Sequence, residues 1–265
     1  MRLTIHHTTR YRFAEPVTFA LQQVRKTPKS TAQQTVVDWQ TNVQGGRKEL
    51  SFEDHHNNTV ELVSMDRGVV ELDIVSDGTV DLTETHGVVG PHRGPAPLWL
   101  YLRSTDRTEA GPGVRDLLRG MDADQPLPAL HELSERIRDR IAYEIGASES
   151  SWGAEEAIAA GRGVCQDHAH AFLACARRLG IPARYVSGYL MLDDRTTQDA
   201  MHAWAEAHVE GLGWVGFDVS NGISPDTRYV RVATGLDYSD AAPVSGTRVG
   251  GAGEVLEVRI DVAQQ

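Results

Sequence analysis

Over the opening residues, hydrophobic and polar positions alternate with period two. Leu3, Ile5, His7, Thr9, Tyr11 and Phe13 fall on one side, and Arg2, Thr4, His6, Thr8, Arg10 and Arg12 on the other. That is the pattern of a half-buried strand. Further strands are predicted at 36–39, 50–52, 60–63 and 69–75, with a shorter one at 80–82. Gly45-Gly46, His56-Asn57-Asn58 and Asp77-Gly78 supply the turns between them. Short strands at this spacing, with no helical stretch among them, predict a β-sandwich or barrel. The Gly- and Pro-rich segment 87–97 breaks the pattern and is the expected linker. The expected division is therefore a β-rich domain at 1–95 and a second domain at 96–265.

Helical periodicity begins beyond the linker. A short helix is predicted at 112–121 and a stronger one at 128–143, with Leu130, Leu133, Ile137 and Ile141 on one face. Ser150-Ser151-Trp152-Gly153 offers a cap for another short helix. Next, Cys165, His168, Ala169, Phe172, Leu173, Ala176 and Leu179 recur at helical spacing, and Gly180 and Pro182 supply the stop. The pattern returns to strands at 184–192, 201–209 and 214–218. A last alternating run at 253–262 resembles the first strand and is expected to return to the N-terminal domain. The fold class predicted is α+β.

Composition narrows the function classes. The chain has 265 residues, 40% hydrophobic and 24% charged, with a net charge of −11. That balance gives no basic footprint for nucleic acid or anionic lipid, and no apolar run reaches membrane-spanning length. The N-terminus lacks a signal-peptide apolar core, so a cytoplasmic location is expected. The two cysteines, Cys165 and Cys175, form no disulfide framework. Cys175, inside Phe172-Leu173-Ala174-Cys175-Ala176, is expected to pack in the core. No Asp-x-Asp-x-Asp-Gly calcium loop is present, and no cofactor is expected.

Cys165 differs because it opens a helix, where unpaired N–H groups and the macrodipole favour negative charge. Downstream, His202 lies on one predicted strand and Asp218 on the next, joined through Gly211-Leu212-Gly213. Pairing centred on Glu210 would set His202 opposite Asp218. A nucleophile, a base and an orienting carboxylate follow: Cys165 attacks, His202 moves the proton and Asp218 holds the imidazole. The Cys165 N–H is the natural first oxyanion donor. Trp204 and Trp214 are candidates for the cleft wall. His168 falls on the buried stripe and is expected to be a satisfied helix histidine. A competing zinc reading from Cys165, His168, His202 and His208 has no C-x-x-C or H-E-x-x-H core.

At these residues a family resemblance emerges. The blocks Gly163-Val164-Cys165-Gln166-Asp167, Leu179-Gly180-Ile181-Pro182-Ala183-Arg184-Tyr185-Val186-Ser187-Gly188-Tyr189, His202-Ala203-Trp204 and Gly213-Trp214-Val215-Gly216-Phe217-Asp218 resemble, in order and spacing, the bacterial transglutaminase-like proteins of the papain-like superfamily. Leu3 to Tyr11 is similar to the β-rich region that accompanies that core. The resemblance implies a papain-like core whose Cys-bearing helix packs on an antiparallel sheet. It also implies Cys165, His202 and Asp218 as the triad, a peptide or protein substrate, and Tyr238 and Asp240 at the cleft. The chain departs from the family at Val219-Ser220, where Pro-Thr is common, and at Leu236, where an Arg is expected to lend the cleft a charge. The expected chemistry is acyl transfer on peptide-like amide or isopeptide bonds through a thioester, with hydrolysis favoured over crosslinking to an amine. A non-catalytic binding module on the same fold is the rival class.

Overall fold

A computed structural model of the chain describes residues 1–149 and 151–265. Its N-terminal part forms β1 (Arg2–Arg12), β2 (Val17–Thr27), β3 (Gln34–Gln44), β4 (Gly46–Glu53), β5 (Thr59–Met65), β6 (Glu71–Leu82) and β7 (Val88–Gly90). Helices follow: α1 (Pro112–Leu117) and α2 (Pro126–Arg140), then β8 (Ala142–Tyr143), α3 (Ala154–Ala160), β9 (Arg162–Gly163) and α4 (Cys165–Arg178). The remainder is β10 (Ala183–Leu190), β11 (Thr197–Gln198), β12 (His202–Val209), β13 (Gly213–Phe217), β14 (Tyr229–Gly235), α5 (Tyr238–Ala241), β15 (Val244–Gly250) and β16 (Val255–Gln264). Of the cap expected before α3, Ser150 lies outside the described residues; the N-cap position is Gly153.

Two antiparallel sheets, ordered β11-β16-β1-β6-β3 and β15-β2-β5-β4, make a sandwich. Val17, Ala20, Val24, Val63 and Met65 of the second sheet pack on Leu72 and Ile74 of the first. The outer side of β1 is polar, and its basic side chains meet carboxylates directly across on β6: Arg2 opposite Asp81, His6 opposite Asp77 and Arg10 opposite Asp73. These are cross-strand pairs of the kind that fix register. β16 lies antiparallel to β1, with Leu3 opposite Gln264 and Arg12 opposite Val255.

The inner side of β1 serves two partners. Tyr11 and Thr9 sit beside Leu72 and Ile74 over the sandwich core, whereas Leu3 and Ile5 join Val80, Leu82, Ile260 and Val262 against the helices. One hydrophobic core thus runs from the sandwich's edge into the second half. There α4 lies on the sheet β14-β10-β12-β13-β7, and every residue of α4 from Asp167 to Arg177 is buried. α4 presents Ala169, Phe172, Leu173 and Ala176 to Ala203, Ala205, Ala207 and Phe217 in that core. The alternating small residues of β12 are what let a helix approach this closely.

Several local expectations change. Asp77-Gly78 is not a turn but the middle of one long β6. A Cβ at Gly78 would lie 2.4 Å from the Trp39 ring, so the glycine clears space for a side chain instead of reversing the chain. The 87–97 segment is not a plain linker, because β7 pairs with β13 and Gly216 N–H donates to Gly87 O at 2.9 Å. β2, β14 and β15 were not expected as strands; β2 carries Gln22, Gln23, Arg25 and Lys26, which mask its alternation. No helix among the described residues is long and apolar enough to cross a membrane.

Candidate active site

The loop before Cys165 is held on both sides. β9 pairs in parallel with β8, which fixes Arg162 and Gly163. The carboxylate of Asp167, fully buried, folds back to accept the Val164 N–H at 2.8 Å and the Ser148 hydroxyl at 2.6 Å. This satisfies a helix N-terminal donor and places negative charge at the favourable end of the dipole. A Cβ at Gly163 would sit 2.8 Å from the Asp167 side chain, so this return contact depends on the glycine. Cys165 is the first helical residue and is half-buried. Cys175, ten positions along the same helix, is fully buried, and burial pushes its thiol far up.

His202 opens β12. The pairing of Ala205 with Phe217 and Val209 with Gly213 centres the β12–β13 hairpin on Gly211, one residue beyond the expected Glu210. Gly211 and Gly213 have φ of 82° and 80°, the left-handed backbone that only glycine adopts freely, and they make the tight reversal. The one-residue displacement moves Asp218 from directly opposite His202 to a diagonal position. Parity is preserved, so both side chains stay on one face and His202 Nε2–H donates to Asp218 Oδ2 at 2.6 Å.

Asp218 is fully buried and carries more than the histidine. Oδ2 also accepts from Tyr229 Oη and Asn221 Nδ2, each at 2.7 Å, and Oδ1 from the Asn221 backbone N–H at 3.2 Å. Burial opposes its charge, but the bonds from His202, Tyr229 and Asn221 win and hold the carboxyl below its ordinary range. Burial likewise works against a charged His202, yet Cys165 and Asp218 together push the imidazole up to about 10. With Nε2 given to Asp218, Nδ1 is the nitrogen left for the Cys165 sulfur. Tyr229 and Asn221 were not found from sequence. Asn221, three residues after Asp218, carried a signal as an Asx-turn partner, but Tyr229 lies on a strand that polar Arg231 and Thr234 concealed.

Cys165 and His202 line a cleft of about 260 Å³. Gln166, Tyr185, Ser187, Met201 and Tyr238 also line it. Its opposite wall is the inner side of the sandwich: His7, Thr9 and Tyr11 of β1 with Leu256 and Val258 of β16. Behind that wall runs a buried chain in which Lys26 Nζ donates to Thr9 Oγ1 at 2.8 Å and to Ile74 O at 3.1 Å. Thr9 Oγ1 then meets His7 Nε2 at 3.1 Å, and His7 Nδ1 meets Tyr189 Oη at 3.0 Å. Burial lowers Lys26 to about 7.

Other expected positions need correcting. Trp204 and Trp214 are buried and do not line the cleft. Trp204 stacks beside His202 with ring centres 6.1 Å apart, and Trp214 lies under the Arg184 guanidinium. Both are on the sheet face away from α4, which the strand pattern alone could not distinguish. Asp240 is not at the cleft either: its Oδ2 accepts the Leu236 N–H at 2.9 Å and approaches His56 Nε2 at 3.2 Å. Leu236 packs with Tyr101 and Trp214, so an arginine's absence there removes no charge from the cleft. His168 is the satisfied histidine expected: Nε2–H donates to Ile141 O at 2.9 Å, so Nδ1 accepts the Ser220 hydroxyl at 2.7 Å. Burial lowers its pKa, which keeps it neutral. With both its nitrogens used and His208 against Trp214, the zinc quartet does not converge.

Residues 115–219 match the family model described as the transglutaminase-like superfamily, and residues 3–81 match that of the bacterial transglutaminase-like N-terminal region. An uncharacterized protein of Mycobacterium leprae is 26% identical, the alignment covering 99% of each chain. One of Mycobacterium tuberculosis is 29% identical over 98% of this chain and 92% of its own. Among solved structures, a protein of Cytophaga hutchinsonii described as a candidate cysteine protease superposes with a TM-score of 0.78 at 21% identity. That match covers 99% of this chain and 90% of the other, and it establishes a shared fold.

Proposed function

Because this chain belongs to the transglutaminase-like superfamily and carries the bacterial N-terminal region of that family, we propose that it cleaves peptide-like amide bonds through a thioester on Cys165. One observation carries the reading: Asp218 Oδ2 takes the Nε2–H of His202 at 2.6 Å, which leaves Nδ1 to the sulfur. In the ion-paired form the sulfur attacks the carbonyl carbon, forming the S–C bond and an oxyanion that the Cys165 N–H at the start of α4 stabilises. His202 gives its Nδ1 proton to the leaving amine as the C–N bond breaks. Water then attacks the thioester, His202 takes its proton, and collapse releases the carboxylic acid and the thiolate. Throughout, Asp218 keeps the tautomer and balances the imidazolium.

Hydrolysis is favoured over transfer to an amine because water is abundant and trapping an amine requires an additional site. The test offers glutamine-containing peptides with and without a labelled primary amine and follows products by mass. Acid or shortened peptide as the main product is expected. Amine incorporation outrunning hydrolysis would make the protein a crosslinking enzyme; neither product, with Cys165 still reactive to a thiol probe, would mean a different substrate class, and no labelling at Cys165 in the folded protein would favour the binding module.

A further inference from the structure

A second cavity, about 130 Å³ and sharing no lining residue with the catalytic cleft, lies on the other side of β10 and β14. Its floor is a charge imbalance. Glu206, fully buried, receives Arg184 Nε on Oε2 at 2.6 Å and Arg231 Nε on Oε1 at 2.8 Å. Both carboxylate oxygens are thus engaged by two guanidiniums, and one positive charge is left over. Arg184 is 5% exposed and is clamped with its guanidinium carbon 3.9 Å from the centre of the Trp214 ring. Burial lowers Arg184 to about 10 against the pull of Glu206, and Arg231 lowers it further, which marks a cation short of counter-charge.

The walls add donors and no carboxylate. Lys29 and Arg93 stand at the sides, and the described lining contains no Asp or Glu. Lys29 Nζ spends two of its three N–H bonds, on Glu53 at 2.6 Å and Asn57 Oδ1 at 3.0 Å; Glu53 is itself largely exposed outside the cavity. Ser30 Oγ accepts the Val36 N–H, and Thr31 Oγ1 accepts from Gln33 and Gln34. Each hydroxyl therefore retains its proton to donate. Guanidinium forks beside hydroxyl donors match the oxygens of a phosphate group, which can accept several charge-assisted bonds at once.

We propose that this cavity, between the Lys29–Thr31 loop and the strands β10 and β14, is a binding site for a phosphate group, either free phosphate or a small phosphate monoester. It stands apart from the proposed catalysis.

Thermal unfolding of the full chain in inorganic phosphate and in glycerol phosphate, with ionic strength matched by sodium chloride, tests it. A saturable rise in Tm of about 3 °C is expected near tenfold Kd. The more effective ligand of the two distinguishes free phosphate from a monoester. The rise should vanish in Arg231→Gln. Should that variant fail to fold, the Lys29→Ala/Arg93→Ala pair at the walls should weaken binding at least about tenfold by calorimetry. No rise beyond the chloride control, an equal rise in these variants, or stabilisation by citrate and not by phosphate would overturn the assignment.

Discussion

Asp218, directly after β13, and Glu206, on the adjoining β12, are two fully buried carboxylates, and they are put to opposite uses. Glu206 is fixed by Arg184 and Arg231, cations that do not give up their protons near neutral pH. Asp218 is fixed by a phenol, an amide and one imidazole, the only group among these five whose proton moves in the working range. Burial and satisfied hydrogen bonds are common to both sites. What separates a structural charge cluster from a candidate catalytic one is a partner that can exchange its proton, placed next to a sulfur at a helix start.

Removing each carboxylate's charge separates the two uses most sharply. Asp218→Asn should lower kcat by roughly 10²- to 10⁴-fold while KM changes little, because the His202 tautomer is lost and not the cleft. Steady-state kinetics on any cleaved peptide decide this, and an equal loss in KM would point to a binding role. Glu206→Gln should instead cost about 3–5 kcal/mol of stability, since it leaves the buried Arg184 guanidinium and the half-buried one of Arg231 underpaired. The protein that remains folded should still alkylate at Cys165. Loss of that reactivity in folded protein would join the two clusters into one functional unit.

Smaller changes refine the same contrast. Tyr229→Phe removes one of the donors to Asp218 and should destabilise by about 1.5–3 kcal/mol, read by urea unfolding. The pH dependence follows from the signs of the two shifts. His202 is raised from 6.5 to about 10, so its contribution to stability is complete below 6.5 and is lost as pH rises through about 10. Asp218 is lowered from 3.8, so its contribution is present above that value and fades as pH falls through the depressed one. The stability gap between wild type and His202→Gln should therefore narrow on the alkaline side, between pH 7 and 10. A gap that stays level there would mean His202 is held neutral.

The sequence made much of this arrangement legible, for reasons visible in single residues. The alternation of Leu3 to Phe13 disclosed a strand and its buried side, because a period of two survives any tertiary context. It could not disclose that this side is divided, with Leu3 and Ile5 on the helical core and His7, Thr9 and Tyr11 at the cleft. The helix from Cys165 was readable from its apolar stripe and its Gly180 stop. The His202–Asp218 contact survived an error of one residue in register, since parity and not the exact partner sets the face. Trp204 and Trp214 were misplaced because a strand's pattern gives two faces without naming which one meets the substrate. Lys26, Tyr229 and the Arg184–Glu206–Arg231 cluster depend on pairings between distant strands, which local pattern does not encode.

The pairing of Cys165 with His202 is tested most directly by timed iodoacetamide labelling of the native protein, mapped by mass, in wild type and His202→Ala at neutral pH. Labelling at Cys165 with Cys175 spared is expected, and a rate at Cys165 at least about tenfold lower in His202→Ala. Cys175 labelled first, or a Cys165 rate indifferent to His202, would contradict it.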